Sequence, residues 1–122
     1  MNNLDKRNRK KKMSYQEVVR VAINQLNVET GLTFDDLGLL VPTSQFRSRQ
    51  PSKVLELMSD KEVLAQAQSK IMRELDEVCL RLQRLKPEHI QRVVLSRISI
   101  LKAKFELINI NTKHISNLLR RL

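Results

Sequence analysis

The side chains able to do covalent or acid–base chemistry are few and scattered along this chain. His89 and His114 stand far apart, Cys79 is the single cysteine, and no HExxH, CxxC or glycine-rich phosphate loop occurs. Neither the ligand spacing of a zinc site nor a phosphate-cradling turn can therefore be read. Asp35 with Asp36, and Glu74 with Asp76 and Glu77, bring carboxylates together in sequence. Adjacent helical residues, however, point about 100° apart and seldom converge on one ligand. Their expected roles are helix capping and a solvated face. Ser96 and Ser99 have no base at a spacing that would activate them. The sequence thus predicts no catalytic residue, no metal site and no cofactor, and a function carried by a binding surface rather than by an enzyme.

The chemistry that is abundant is positive charge. Twenty-three Lys and Arg face thirteen Asp and Glu, a formal charge of +10 on 122 residues, and such a field attracts polyanions. Nucleic acid, DNA or RNA, is the expected partner, because it is the commonest intracellular polyanion of that kind. Three groups of cations are candidates for phosphate contact. Lys6, Arg7, Arg9, Lys10, Lys11 and Lys12 form an arm before Met13; Arg47 and Arg49 lie in a polar stretch between Pro42 and Pro51; Arg97, Lys102, Lys104, Lys113, Arg120 and Arg121 follow Pro87. After Pro87 only Glu88 and Glu106 offset seven cations, fewer acids than an ordinary coiled-coil flank carries. Gln45, Arg47, Ser48 and Arg49 also allow a helix-turn-helix reading in which they reach base edges. Pro42 and Pro51 weigh against it, and a polar linker is the competing reading.

The elements that must position these cations read as helices. Aromatics are limited to Phe34, Phe46, Phe105 and Tyr15, and two glycines give too little punctuation for an all-β fold. Ser14 with Glu17 is a capping box opening a helix over about Tyr15 to Asn27, with Gly31 after its end. Thr33 before Phe34, Asp35 and Asp36 predicts a short second helix ending before Pro42. Ser52 starts a third piece through Met58. Ser59 with Glu62 then opens a longer helix to Leu85, one continuous helix with a kink being the alternative. Leu64, Ile71, Leu75, Val78, Leu82 and Leu85 recur three and four apart, with the polar Gln68 between the first two, as do Val94, Ile98, Leu101, Phe105, Ile108, Ile115 and Leu119, with the polar Thr112 between Ile108 and Ile115, beyond the break at Lys86 and Pro87. Asn109, Asn111 and Thr112 have low helix propensity and mark a place where the last helix would divide.

The expected architecture is all-α. A disordered basic arm (1–13) precedes a single helical domain (14–122), in which short helices and a basic linker (14–58) lead into a long antiparallel helical hairpin with a coiled-coil-like seam (59–122). No stretch is apolar for the roughly 18 to 20 residues of a membrane span, and no secretory signal is seen. The expectation is an intracellular protein, nuclear if the arm is read as an address in a eukaryotic or viral host. The last helix offers more seam than its partner can cover. Ile98, Leu101, Phe105, Ile108, Ile115 and Leu119 are accordingly candidates for a homo-oligomer interface. The leading function is non-enzymatic nucleic-acid binding on an oligomeric helical frame. The alternative is a helical adaptor or assembly subunit that docks a partner protein through the seam.

Overall fold

Ser14 opens the first helix as its sequence requires: its Oγ accepts a hydrogen bond from the Glu17 backbone N–H at 3.2 Å. In the computed structural model, which describes residues 14–45, 47, 50–86 and 92–122, helix α1 spans Tyr15–Thr30 and stops at Gly31. Gly31 adopts the left-handed conformation, φ 65°, in which its N–H reaches back to the carbonyls of the last turn. Helix α2 covers Lys53–Arg84, and helix α3 covers Arg92–Arg121. The long helices α2 and α3 pack against each other, and the fold is mostly helical as the composition implies. The arm with Lys6, Arg7, Arg9, Lys10, Lys11 and Lys12, the residues Phe46, Ser48 and Arg49, and the turn at Pro87 lie outside the described residues.

Three features of the sequence reading are corrected. The segment after Gly31 is not a second short helix. It is an antiparallel hairpin of β1, Leu32–Phe34, and β2, Leu40–Pro42, paired Leu32 to Pro42, Thr33 to Val41 and Phe34 to Leu40. Asp35, expected to sit in a first helical turn, instead organises the connection. Its carboxylate accepts hydrogen bonds from the N–H groups of Leu37 and Leu39, both at 2.9 Å, and Gly38 takes φ 78°. With Thr33 in a strand, the helix-turn-helix reading loses its first helix.

The second correction concerns Ser59, which opens nothing. Helix α2 starts seven residues earlier, where Ser52 Oγ accepts from the Leu55 N–H at 3.2 Å, and runs unbroken past Ser59. Leu57, Asp60, Leu64 and Ile71 form one continuous buried face across that point, so tertiary burial outweighs a local capping signal. The third is that α3 does not divide at Asn109–Thr112. Asn111 is buried and serves another element: its Oδ1 accepts from the Leu40 N–H of β2 at 2.7 Å, while its Nδ2 donates to the Leu107 carbonyl.

These contacts make α3 the central element. One face of it packs on α2 and the hairpin, where Leu101, Ile108 and Ile115 join Leu26, Leu32, Leu39, Leu40, Val41, Leu57, Leu64 and Ile71. A second face packs on α1, where Ile100 meets Val18 and Ala22, with Ala103 and Leu107 against them. No helix among the described residues is long and apolar enough to cross a membrane.

Candidate nucleic-acid interface

The candidate cations of α3 divide by face, and the division decides which of them can meet a ligand. Arg97 and Lys104 lie on the flank that turns toward the other helices. Arg97 Nη1 donates to Gln25 Oε1 of α1 at 3.0 Å and Nη2 to Glu74 Oε2 of α2 at 2.8 Å, so this one guanidinium ties all three helices. Lys104, 2% exposed, places Nζ 3.0 Å from Glu29 Oε2 near the end of α1. Both residues are paired within the fold, Lys104 buried and Arg97 with its side chain 35% exposed. On the opposite flank Lys102, Lys113 and Arg120 are exposed, and Arg121 is exposed beside them at the end of the helix. Lys102 to Arg120 is a stripe of about 27 Å at 1.5 Å per residue.

Arg47 is likewise taken by the fold. Its Nη2 lies 2.6 Å from Asp60 Oδ2 and its Nε 3.2 Å from Glu56 Oε1, which pins the connection after the hairpin onto the first turns of α2. The Nε–H is aimed off the line to Glu56, so that contact is an ion pair without a hydrogen bond. Burial pushes the Asp60 carboxyl above its ordinary value, and the hydrogen bond and charge of Arg47 offset part of that rise. Arg47 is thus held between two carboxylates of α2, with its side chain 20% exposed. Gln45 is exposed.

The sequence reading passed over a further set. Lys70, Arg73, Arg81 and Arg84 are all exposed, and their spacing puts them along one side of α2, beside the face that carries Leu64, Ile71 and Val78. The stripe is about 21 Å long, and Glu77 is the acid that interrupts it. The i, i+3, i+11, i+14 spacing was visible, but the nearby acids Glu74, Asp76 and Glu77 masked it in a simple count of charge. Glu74 is in fact turned to Arg97.

The seam proposed for a partner is used by the chain itself. Leu101, Ile108 and Ile115 are fully buried in the core, Phe105 and Leu119 pack against it half-buried, and Ile98 is half-buried. They pack within the single chain, where α1 and the hairpin supply cover that a two-helix pairing lacked.

Among the described residues no group of three or more His, Cys, Asp or Glu is placed to hold a metal ion. The ion pairs there take four cations, Arg47, Lys53, Arg97 and Lys104, and four acids, Glu29, Glu56, Asp60 and Glu74. The formal excess of ten is therefore untouched by internal pairing; α3 carries seven Lys and Arg against Glu106, whereas α2 carries six Lys and Arg against six acids. No family model, no curated protein and no solved structure matches this chain.

Proposed function

We propose that the protein binds nucleic acid without catalysing a reaction on it, through the exposed cations of α2 and α3 together with the basic segment 6–12. The observation that carries this reading is the sorting of charge. Glu29, Asp60 and Glu74 are spent on the cations that hold the fold, while Lys102, Lys113 and Arg120 stand exposed along α3 with Glu106 among them, and Lys70, Arg73, Arg81 and Arg84 along α2 with Glu77 among them. A charged surface kept only for solubility has no need of the imbalance on α3, seven Lys and Arg against Glu106, whereas a phosphate backbone is a line of negative charge that its stripe matches. Nothing in the arrangement calls for sequence-specific readout, since Arg47 is occupied by Glu56 and Asp60.

The test is a titration with short DNA and RNA over a range of salt. Each phosphate neutralised releases condensed counterion, so the logarithm of affinity falls linearly with the logarithm of salt, with a slope close to the number of contacts. Replacing Lys102, Lys113 and Arg120 by Ala should lower that slope by about three if all are used. The same change at Lys70, Arg73, Arg81 and Arg84 asks whether the second stripe takes part. Arg97→Ala should lower stability and leave the slope unchanged. Failure to bind any nucleic acid at about 100 mM salt, where non-specific binders keep affinities of roughly 10⁻⁴ to 10⁻⁶ M, overturns the reading.

A further inference from the structure

A recess of about 310 Å³ lies between the tip of the hairpin and the last turns of α3, at the lower end of the roughly 300 to 1,000 Å³ of clefts that take small ligands or single groups. Leu37 and Leu39 of the hairpin and Leu118 of α3 make it apolar, and His114, Asn117 and Arg121 of α3 bring polar groups to it. Leu37 is 71% exposed. An exposed leucine alone signifies little, but this one is held in place at the recess, because the Asp35 carboxylate accepts hydrogen bonds from the N–H groups of Leu37 and Leu39 and so fixes the turn. Around the axis of α3, Asn117, Arg121 and His114 follow directly on the flank that carries Lys113 and Arg120. Residues 107–121 contain these three cations, Lys113, Arg120 and Arg121, and no Asp or Glu. None of the three, nor His114, enters an ion pair among the described residues. Arg120 and Arg121 also answer the partial negative charge of the helix C-terminus, but that field fades within the last turn and does not account for Lys113 or His114. Asp36, beside Leu37 in the sequence, does not line the recess.

Resting on the nucleic-acid reading above, we infer that this recess receives one unpaired base of a single strand, whose flanking phosphates follow Lys113, Arg120 and Arg121. Single strands are held by a positive track together with a surface on which a base stacks, and the imidazole of a histidine serves as such a surface. The leucines exclude water from the face of the base. Asn117 offers both a donor and an acceptor to its edge, so the recess suits any base rather than one. A duplex keeps its bases stacked on one another and meets only the cations. A free phosphate has no use for three leucines, and a free nucleotide has none for Lys113 and Arg120 beyond the recess; a strand uses both.

The test separates base contacts from phosphate contacts. The intact protein is titrated with a labelled short oligouridylate and with a labelled RNA duplex of equal length, over a range of salt, and anisotropy reports binding. His114→Ala should lose at least about fivefold in single-strand affinity while duplex affinity stays constant, and His114→Phe, which keeps a planar ring without its nitrogens, should hold the single-strand affinity. Leu37→Ala removes no charge, so it should weaken the single strand with the salt slope unchanged, whereas Lys113→Ala should lower that slope by about one. Leu37 and His114 are exposed, so these changes leave the fold intact, which circular dichroism checks. Single-strand binding that is unaffected by His114→Ala and Leu37→Ala overturns the recess and leaves the basic-surface reading standing. Equal losses on single strand and duplex overturn the assignment to an unpaired base. Absence of binding by both nucleic acids removes the underlying reading and this one with it.

Discussion

Asp60 is 2% exposed in the middle of a helix that otherwise buries leucines and isoleucine, and its carboxylate is there because Arg47 meets it. Desolvation nonetheless dominates, so its pKa in the folded protein lies above the ordinary 3.8. The folded chain then holds this proton more tightly than the unfolded chain does. The contribution of Asp60 to stability is accordingly fully present below the unfolded value and is lost as pH rises through the folded one. Urea unfolding from about pH 3 to pH 7 should show that decline in the difference between the wild type and Asp60→Asn, in which every other titrating group cancels. A difference that is flat with pH, or rises with it, contradicts the assignment. Arg47→Ala should cost about 3 kcal/mol at neutral pH, the lower end for removing one partner of a buried pair. Its cost should shrink in acid, where Asp60 takes up a proton.

At the scale of elements, the hairpin is where local chemistry and burial have to be weighed together. Gly38 has open space where a Cβ would stand but sits at φ 78°, so Gly38→Ala is opposed by backbone conformation and not by a clash. The expected cost is about 1 kcal/mol, and Gly38→Asn should cost less because asparagine tolerates the left-handed region. Thermal or chemical denaturation measures both, and an alanine variant as stable as the wild type would show that the turn can relax. The long helices were legible because their apolar residues recur at three and four over many turns, and Ser14, Ser52 and Gly31 end them with the chemistry that ends helices. The hairpin was hidden for two physical reasons. Its strands are three residues each, and Leu39, Leu40 and Val41 are buried in succession, so no alternation marks a strand. Thr33, Asp35 and Asp36 also suit a helix start as well as a turn. Asn111 misled in the same way: its low propensity read as a break, but its side chain is the partner of a strand 71 residues away in the sequence. Of the candidate interface, the Lys102, Lys113 and Arg120 stripe was legible from helical period alone. The commitment of Arg97, Lys104 and Arg47 to internal acids was not, since their partners lie on other elements or across the connection and only the fold brings them together.

For the whole molecule, self-association follows from the sequence only if apolar seam is left uncovered, as it is when α3 has only α2 to pack on. The fold removes that premise, because α1 covers the second face of α3 through Val18, Ala22 and Ile100 and the hairpin covers its other end through Leu40 and Val41. A net charge of +10 adds repulsion between copies at low salt. The expected state of the free protein in light scattering is therefore a monomer at tens of micromolar. The same reasoning says how to create an oligomer. Ala22 is completely buried where α1 meets α3, and Ala22→Asp puts an unpaired carboxylate there, which costs several kcal/mol unless α1 lifts away. Lifting α1 exposes Ile100, Ala103 and Leu107 on α3, a contiguous apolar strip of the kind that drives helices together. The variant should stay helical by circular dichroism and show a mass above that of the monomer, increasing with concentration and with salt as the charge repulsion is screened. A wild type that is already oligomeric at every concentration tested would mean that α1 does not complete the cover of α3. A helical Ala22→Asp chain that remains monomeric would mean that the strip beneath α1 is too small to pair.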